Sequence, residues 1–469
     1  MPKKLRLLVF LLAALFLAAS FFSLDLTRPS HAAQNGAVLV KDSRADAQDL
    51  DKLLRRYDKL ELDPAIVAAQ VQETGRIFLP TSTGGFDIRL APHDMRADRY
   101  RSQESLAGGV ILELERGPVR TYKGVIAGLP NAQARLTVDK ETFEGLIITP
   151  GQIYFVEPAK RYSSSAGPRD FVVYQQSDLL QGSFGECGVT TLAEKVGSEA
   201  LRVQSQTGKV VSGDGIAEEL FTPPRIVELA TEADFEYFTF FGNATAANNE
   251  IISIMNQVEG IYDSTFGLQF TIVFQNVWST AGDPYTSTAA STALGEFTNY
   301  WNTNHGSSAG PGFVPRDLAH MWTGKSFDGT TIGIAWRPGL DCPLAQNGYG
   351  MSERLSSTPG KFILTAHEIG HNFNAEHADA QPNCANTIMG TSLGPSTSQT
   401  FCPFSINQIE TQANAKIACL AQALTPGCTY SLSSFGQSVG SSGGSGSVNV
   451  NTVGTNCAWA ANSAVSWII

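Results

Sequence analysis

Apolar positions change period along this chain. Between Phe86 and about Val173 they alternate in short runs broken by turn residues: Val110, Leu112 and Leu114, then Tyr122 to Val125, Ala134 to Val138, Phe143 to Ile148 and Ile153 to Val156. A period of two puts every second side chain on one face, so this stretch predicts an antiparallel β domain, with Val110, Leu112 and Leu114 facing one way. From about Arg225 to Leu424 strands alternate with helices. Ile226 to Leu229 begins a strand, Ile251, Met255, Val258, Tyr262 and Phe266 repeat at helical spacing, and Leu268, Phe270, Ile272 and Phe274 alternate again. Ala290, Leu294, Phe297 and Trp301 predict a second helix and Thr330 to Trp336 another strand. Phe362, Ala366, Ile369 and Phe373 then have the spacing of a buried helix face. A last helix is expected to open at Ser405, with Gln408 completing a capping box, and to continue through Ile409, Ala413, Ile417 and Leu420. Strand and helix in this order predict an α/β sandwich with a mostly parallel sheet.

The remaining stretches are punctuation. Residues 34 to about 80 are polar, helical in part, and without a usable motif. Residues 191–222 are polar and carry Gly208, Gly213 and Gly215 ahead of Pro223-Pro224, which reads as an accessible linker. At the N-terminus Lys3, Lys4 and Arg6 precede an apolar run from Leu7 to Phe22, and Ser30-His31-Ala32 follows. That is the pattern of an export signal cut after Ala32, with an uncleaved membrane anchor as the alternative. Residues 428–469 combine a Ser/Gly stretch with Val448 and Val450 in alternation, Trp459 and Trp467, more than a disordered tail usually holds. The division expected is a signal at 1–32, an N-terminal domain at 33–200, a linker at 201–222, the α/β domain at 223–427 and a small β module at 428–469.

A length of 469 residues suggests two to four domains, and 42% hydrophobic with 16% charged residues fits ordinary globular cores. The 33 Lys and Arg against 44 Asp and Glu give a net charge of -11 with no basic block in the body of the chain, which argues against nucleic acid as a partner. Export permits disulfides. The cysteines number 7, so one is left over, and Cys187 stands alone in the N-terminal half.

The chemistry is concentrated in His367-Glu368-Ile369-Gly370-His371-Asn372-Phe373-Asn374-Ala375-Glu376-His377. On a helix His367 and His371 leave the same face and can share one metal ion, and Glu368 beside them can take a proton from a water that zinc acidifies. His377 comes too late to ride that face, so the helix must end and turn back. Asn374 stands at the turn, where a left-handed residue is needed. A chance pair of histidines is the competing explanation. That three of the chain's 7 histidines fall within this one stretch weighs against it.

This stretch and the Thr387-Ile388-Met389-Gly390 turn after it resemble the metzincins, most closely the adamalysin (reprolysin) branch. Two positions depart from the pattern: Asn374 stands where the family has Gly, and Ala378 where that branch usually has Asp. The resemblance implies a secreted zinc metalloendopeptidase of bacterial type. His367, His371 and His377 would be the zinc ligands, Glu368 the general base and Met389 an apolar floor under the metal. Tyr122 to Gly128 and Tyr154 to Pro158 resemble the adamalysin prodomain, and Glu186-Cys187-Gly188-Val189-Thr190 its cysteine switch, which makes Cys187 the expected latent-state zinc ligand. No paired-basic Arg-x-Lys-Arg site is present, so self-cleavage or another protease is expected to cut the linker. Arg316 to Lys325 with Gly333-Ile334-Ala335-Trp336 resembles the family's edge strand above the cleft, where Gly333, Ile334 and Ala335 would pair with substrate backbone. Glu228 and Asp317 match positions that often hold calcium. The family pattern also suggests disulfides Cys342 to Cys419 and Cys384 to Cys402, though sequence leaves the connectivity open. Residues 428–469 resemble the start of a BACON-type β-sandwich module cut short, a family linked to glycan contact.

The reading is therefore a latent, exported zinc endopeptidase acting on protein or peptide substrates, expected to be a monomer. The alternatives are a non-catalytic adhesion protein with a relic metal domain, and a zinc hydrolase of non-peptide substrates.

Overall fold

A computed structural model describes residues 37–39, 47–188, 190–191, 224–306, 312–340, 346–422, 429–432 and 446–453. The export signal, the linker at 201–222, Cys342, Cys428, Cys457 and most of the C-terminal module lie outside the described residues. Among the described residues no helix is long and apolar enough to cross a membrane.

The N-terminal half is mostly strand. β1 (Ala37–Leu39), α1 (Ala47–Asp51), β2 (Asp58–Leu62), α2 (Pro64–Thr74), β3 (Arg76–Leu79) and β4 (Phe86–Pro92) come first, so the polar opening stretch holds strands as well as helix. β5 (Arg96–Ser105), β6 (Ile111–Leu114), β7 (Thr121–Ile126), β8 (Gln133–Val138), β9 (Phe143–Thr149), β10 (Gln152–Pro158) and β11 (Asp170–Gln175) follow, and then β12 (Gly185–Cys187) and β13 (Thr190–Thr191). Nine of these form one antiparallel sheet in the order β1-β2-β11-β10-β9-β8-β7-β4-β3. Its apolar face packs Val67 and Val71 of α2 against Leu79, Ile88, Leu136 and Phe143.

The second half alternates as expected. It runs β14 (Arg225–Ala233), α3 (Phe235–Phe241), α4 (Ala244–Phe266), β15 (Leu268–Trp278), α5 (Ala290–Asn304), β16 (Leu318–Thr323), β17 (Thr331–Arg337) and β18 (Tyr349–Glu353). It ends with α6 (Thr358–Asn372), β19 (Ser392–Leu393), α7 (Pro403–Ala415) and β20 (Ala421–Gln422). Its own strands order as β17-β18-β16-β14-β15, parallel except that β17 runs antiparallel to β18. Side-chain caps set the helix starts: Asn243 accepts the Ala246 N–H for α4, and Ser357 accepts the Gly360 N–H for α6. Gly267, at φ 69°, ends α4 in the left-handed turn that β-carbon sterics reserve largely for glycine. Ile251, Met255, Val258 and Tyr262 of α4 pack on one face of the sheet with Phe362, Ala366 and Ile369 of α6 and with Phe373 just after it. Leu294, Phe297 and Trp301 of α5 cover the other face.

Three expectations need correction. α7 opens two residues before Ser405, with Cys402 as its cap residue and Pro403 in its first turn, and it ends at Ala415 rather than Leu420. Pro403, with φ preset for a helix and no N–H to satisfy, outweighs the Ser405 capping signal. Val110 and Leu112 do not face a core: with Ile111 they lie about half exposed on and beside an edge strand. The β region is also not self-contained. β5 and β6 leave it and extend the other sheet past β15, while β12 joins that sheet at its opposite edge, giving the order β19-β12-β17-β18-β16-β14-β15-β5-β6. Beyond the α/β half, β21 (Thr429–Leu432) pairs antiparallel with β22 (Val450–Val453).

Candidate metal centre

The centre is built on the last turns of α6. His367, Glu368 and His371 are fully buried, and the helix is fastened behind them by the Tyr262 hydroxyl, which donates to Ala366 O at 2.8 Å. After Asn372 the chain turns through Asn374 at φ 69°, with the Ala375 N–H returning to Gly370 O at 3.0 Å. Asparagine tolerates this left-handed geometry because its short polar side chain can bond locally. Arg337 reaches both Asn374, at 3.4 Å, and Glu376, at 3.0 Å, and so braces the turn.

The turn brings His377 to the other two histidines. One ligand atom each from Cys187, His367, His371 and His377 can be chosen so that all lie within 4.8 Å of one another. Tautomers follow from the outer partners, since a carbonyl oxygen only accepts: His367 Nδ1 donates to Ile388 O (2.5 Å) and His371 Nδ1 to Ala375 O (2.7 Å). Both Nε2 atoms then carry lone pairs, yet they face each other at 2.9 Å in a buried site, and His377 Nε2 is buried with no hydrogen-bond partner among the described residues. Lone pairs so placed repel unless a cation lies among them. Burial holds all three imidazoles below the ordinary histidine range, His367 down to about 3, which is the neutral form that ligates metal. Three neutral imidazoles and one thiol in a closed cluster fit Zn²⁺.

Cys187 arrives on β12. Its Sγ lies 3.4 Å from His371 Nε2 and 3.5 Å from Glu368 Oε2. Burial pushes the Cys187 thiol and the Glu368 carboxyl up from their usual values, and a dication among these groups would draw both back toward their charged forms. β12 lies between two strands, parallel to β17 and antiparallel to β19, and β13 continues along β17. The Gly188 N–H donates to Gly333 O at 2.9 Å. Phe184, just before β12, packs among Ile332, Leu364, Leu393 and Leu355.

Of the expected edge-strand residues, Gly333 meets the centre directly. A β-carbon there would stand 2.8 Å from Leu364 Cδ1 and 2.9 Å from Glu368 Cδ, so only glycine lets α6 lie this close to β17. Ile334 and Ala335 pair with Met351 and Gly350 of β18, and the Ile334 side chain points into the α5 layer. Met389 is fully buried beneath α6, and a β-carbon at Gly370 would stand 2.6 Å from its sulfur. The loop carrying Met389 is closed by the Cys384–Cys402 disulfide. Cys419 is also disulfide-bonded, and its expected partner Cys342 lies outside the described residues.

Glu228 and Asp317 are adjacent but stand apart from this centre. Asp317 Oδ2 accepts the Glu228 N–H at 2.8 Å, Arg99 pairs with the Glu228 carboxylate, and burial pushes Asp317 up to about 7. Among the described residues they join no cluster of three or more potential ligands.

Sequence reasoning missed Asp379. Its carboxylate accepts the Thr391 N–H (2.8 Å) and hydroxyl (2.6 Å), while the Ala378 N–H donates to Met389 O (2.8 Å), so the His377 loop is sewn to the turn that carries Met389. An acidic residue one place beyond Ala378 was the available signal. Phe184 and Arg337 were missed too, and neither belongs to a motif.

Residues 223–430 match the family model described as Metallo-peptidase family M12 (Reprolysin_5). The matched segment is similar to M12 metallopeptidases and covers less than half of the chain. Two snake proteins from Gloydius brevicauda, the zinc metalloproteinase-disintegrin-like brevilysins H2a and H2b, are each 28% identical over 195 residues, 40% of this chain and 43% of the relative. The matched segment thus spans less than half the length of either relative. The matched segment holds all three histidines, Glu368 and Met389, whereas Cys187 reaches it from the N-terminal half.

Proposed function

We propose that the chain is an exported zinc endopeptidase synthesised as a latent precursor, with residues 33–200 as its prodomain and protein or peptide chains as its substrates. The observation that carries this reading is the closed set of His367, His371, His377 and Cys187, with two histidine lone pairs facing each other at 2.9 Å. When bound to the three Nε2 atoms, zinc supplies Lewis acidity that acidifies water and polarises a scissile carbonyl. Ile388 O and Ala375 O hold His367 and His371 in the ligating tautomer. Glu368, buried with Oε1 unpartnered among the described residues, takes a proton from the attacking water and passes it to the leaving amine. Gly333, Ile334 and Ala335 position the substrate backbone by strand pairing, as β12 and β13 pair with β17. In that state Cys187 Sγ occupies the space beside Glu368 that the water needs, which accounts for latency.

The test is zinc content of the full-length chain and casein hydrolysis after the N-terminal half is digested away, wild type beside Glu368→Ala. Loss of a positioned general base lowers turnover by about 10²–10⁴-fold. One zinc per chain in both proteins with hydrolysis confined to the wild type is expected. A folded wild type without zinc, or a variant as active as wild type, overturns the reading.

A further inference from the structure

Beside β10 and β11 the surface is hollowed into two adjoining cavities of about 360 and 460 Å³, which meet at Arg55 and Gln175. Both volumes fall within the range of small-ligand sites, about 300–1,000 Å³. No residue of the metal centre lines either cavity. The first is rich in side-chain amides: Gln152, Gln175, Gln176, Gln181 and Asn386 are five of its eleven lining residues. These amides are held in a network. The Tyr154 hydroxyl donates to Gln152 Oε1 (3.1 Å) and accepts from Gln175 Nε2 (3.1 Å), and Ser177 donates to Gln175 Oε1 (3.3 Å). Gln176 Nε2 donates to Thr397 O (2.6 Å) and Asn386 Nδ2 to Ser396 O (2.9 Å). Each bond engages one end of an amide, so that Gln152 Nε2, Gln176 Oε1 and Asn386 Oδ1 have no hydrogen-bond partner among the described residues. Tyr57 and Tyr154 line the second cavity, where the Phe86 ring meets Tyr154 edge-on at 4.8 Å. Its charges balance. Arg56 pairs with Asp178 at 2.9 Å, and Asp58 accepts the Ser82 N–H at 2.9 Å. Arg55, common to both cavities, is exposed and has no acidic partner among the described residues.

We propose that the two cavities form one groove that binds a short oligosaccharide, with Arg55 placed for a sugar carboxylate. A hydroxyl both donates and accepts, and so does an amide, so a row of fixed amides suits a ligand whose edge is a row of hydroxyls. Tyrosine rings offer flat apolar faces to the C–H side of a sugar ring, and a guanidinium fork matches a carboxylate. Amides held before binding lose little freedom on meeting the ligand. A peptide fits less well. β10 is paired on both sides, by β9 and β11, and β11 by β10 and β2, so neither strand has a bare edge for an extended chain to join. A polyanion fits less well too, because Asp58 and Asp178 face it beside the two arginines. The groove has two owners. Asn386 and Ser396 belong to residues 223–430, and the rest of the amide cavity to residues 55–181. The intact chain would therefore hold a glycan that neither half holds alone. Nothing in the groove depends on whether the metal centre hydrolyses peptides.

The test passes the full chain over a printed array of neutral and acidic oligosaccharides, then titrates the best-retained acidic glycan and its neutral core by calorimetry. We expect retention of an acidic oligosaccharide and weaker binding of the core. Gln152→Ala and Gln181→Ala remove exposed amides and should each weaken both ligands by about 2- to 10-fold. Arg55→Ala should weaken the acidic glycan by about tenfold and the neutral core by less than about twofold. Val125→Ala, an exposed change outside both cavities, should alter neither. All four substituted side chains are exposed, so thermal unfolding should match wild type and a lost signal reports binding rather than folding. A folded wild type that retains no glycan overturns the proposal. So does retention that survives Gln152→Ala, Gln181→Ala and Arg55→Ala together, which would place the sugar elsewhere on the chain. An Arg55→Ala variant that separates acidic from neutral glycans as wild type does overturns it as well. If a casein-derived peptide and no sugar binds in a Gln152-dependent way, the groove serves polypeptide and the proposal fails.

Discussion

Gly333→Ala places a methyl group between β17 and α6, and its consequence follows from distances. The new β-carbon would lie 2.9 Å from Glu368 Cδ and 2.8 Å from Leu364 Cδ1. Carbon atoms prefer about 3.5–4.0 Å, so the Glu368 carboxyl must move by about 0.6–1 Å or the strand must yield. The carboxyl is the softer of the two, being the end of a side chain with one oxygen unpartnered among the described residues. A displacement of about 1 Å at a catalytic group costs about 10²-fold, so turnover should fall by about 10- to 100-fold, or about 1.4–2.7 kcal/mol of barrier. Overpacking should also cost about 1–3 kcal/mol of stability. The histidines are untouched, so zinc content should not change. The assay is steady-state hydrolysis of a casein-derived peptide after digestion of the N-terminal half, with zinc content and thermal unfolding on the same preparations. Ile334→Val is the control: its side chain lies in the α5 layer, so it should lose about 0.5–1.5 kcal/mol of stability and no turnover. A zinc-loaded, folded Gly333→Ala enzyme with wild-type turnover would refute both the steric argument and the role given to Glu368.

Other outcomes follow from the same structure. Burial raises Asp317 to about 7, so the folded state holds a proton that the unfolded chain releases near its ordinary value of about 4. Stability from this group is present below about 4 and lost as pH rises through about 7; in urea unfolding, Asp317→Asn should therefore gain on wild type across that window, and a pH-independent difference contradicts the assignment. Cys384 and Cys402 are 18 residues apart, so Cys384→Ser should cost about 3 kcal/mol by loop entropy and loosen the turn under the metal, read as a lower melting temperature and faster zinc loss to a chelator. An unchanged chelation rate would show that the disulfide does not support Met389. Asp379→Asn keeps a side-chain acceptor for Thr391 but loses its charge, whereas Asp379→Ala loses both bonds; zinc should escape faster from the alanine variant than from the asparagine variant.

What could be read from sequence was whatever depends on neighbours along the chain. The His367–His371 pair needs only helical spacing, and Asn374 announced a left-handed turn that is present at φ 69°. The helix faces of α4 and α6 and the alternation of β15 likewise report local period. Partner choice was the part that could not be read. Nothing in the alternation of Arg96 to Ser105 says that this strand pairs with Leu268–Trp278 rather than with its neighbours in sequence, because the period of a strand specifies its face and not the edge it joins. The polar positions of α4 show the same limit. Ser253, Asn256, Gln257, Glu259 and Gly260 are all buried, and helical period alone does not say what covers them.

That buried polar face bears on the proposed latency. A cysteine alone, on a segment free to leave, would protect the centre only as long as one sulfur held its place. Here Cys187 is carried on a strand bonded on both sides, and Phe184 is anchored three residues before it. The same half of the chain is fixed again at Glu259 and along β15, on the opposite side of the sheet from the cleft edge. Removing the thiol should therefore leave β12 and β13 laid along β17. In the full-length protein Cys187→Ser should release only a small fraction of the hydrolysis seen after digestion of the N-terminal half. Full release by Cys187→Ser alone would mean that the sulfur, and not the strand that carries it, keeps substrate out.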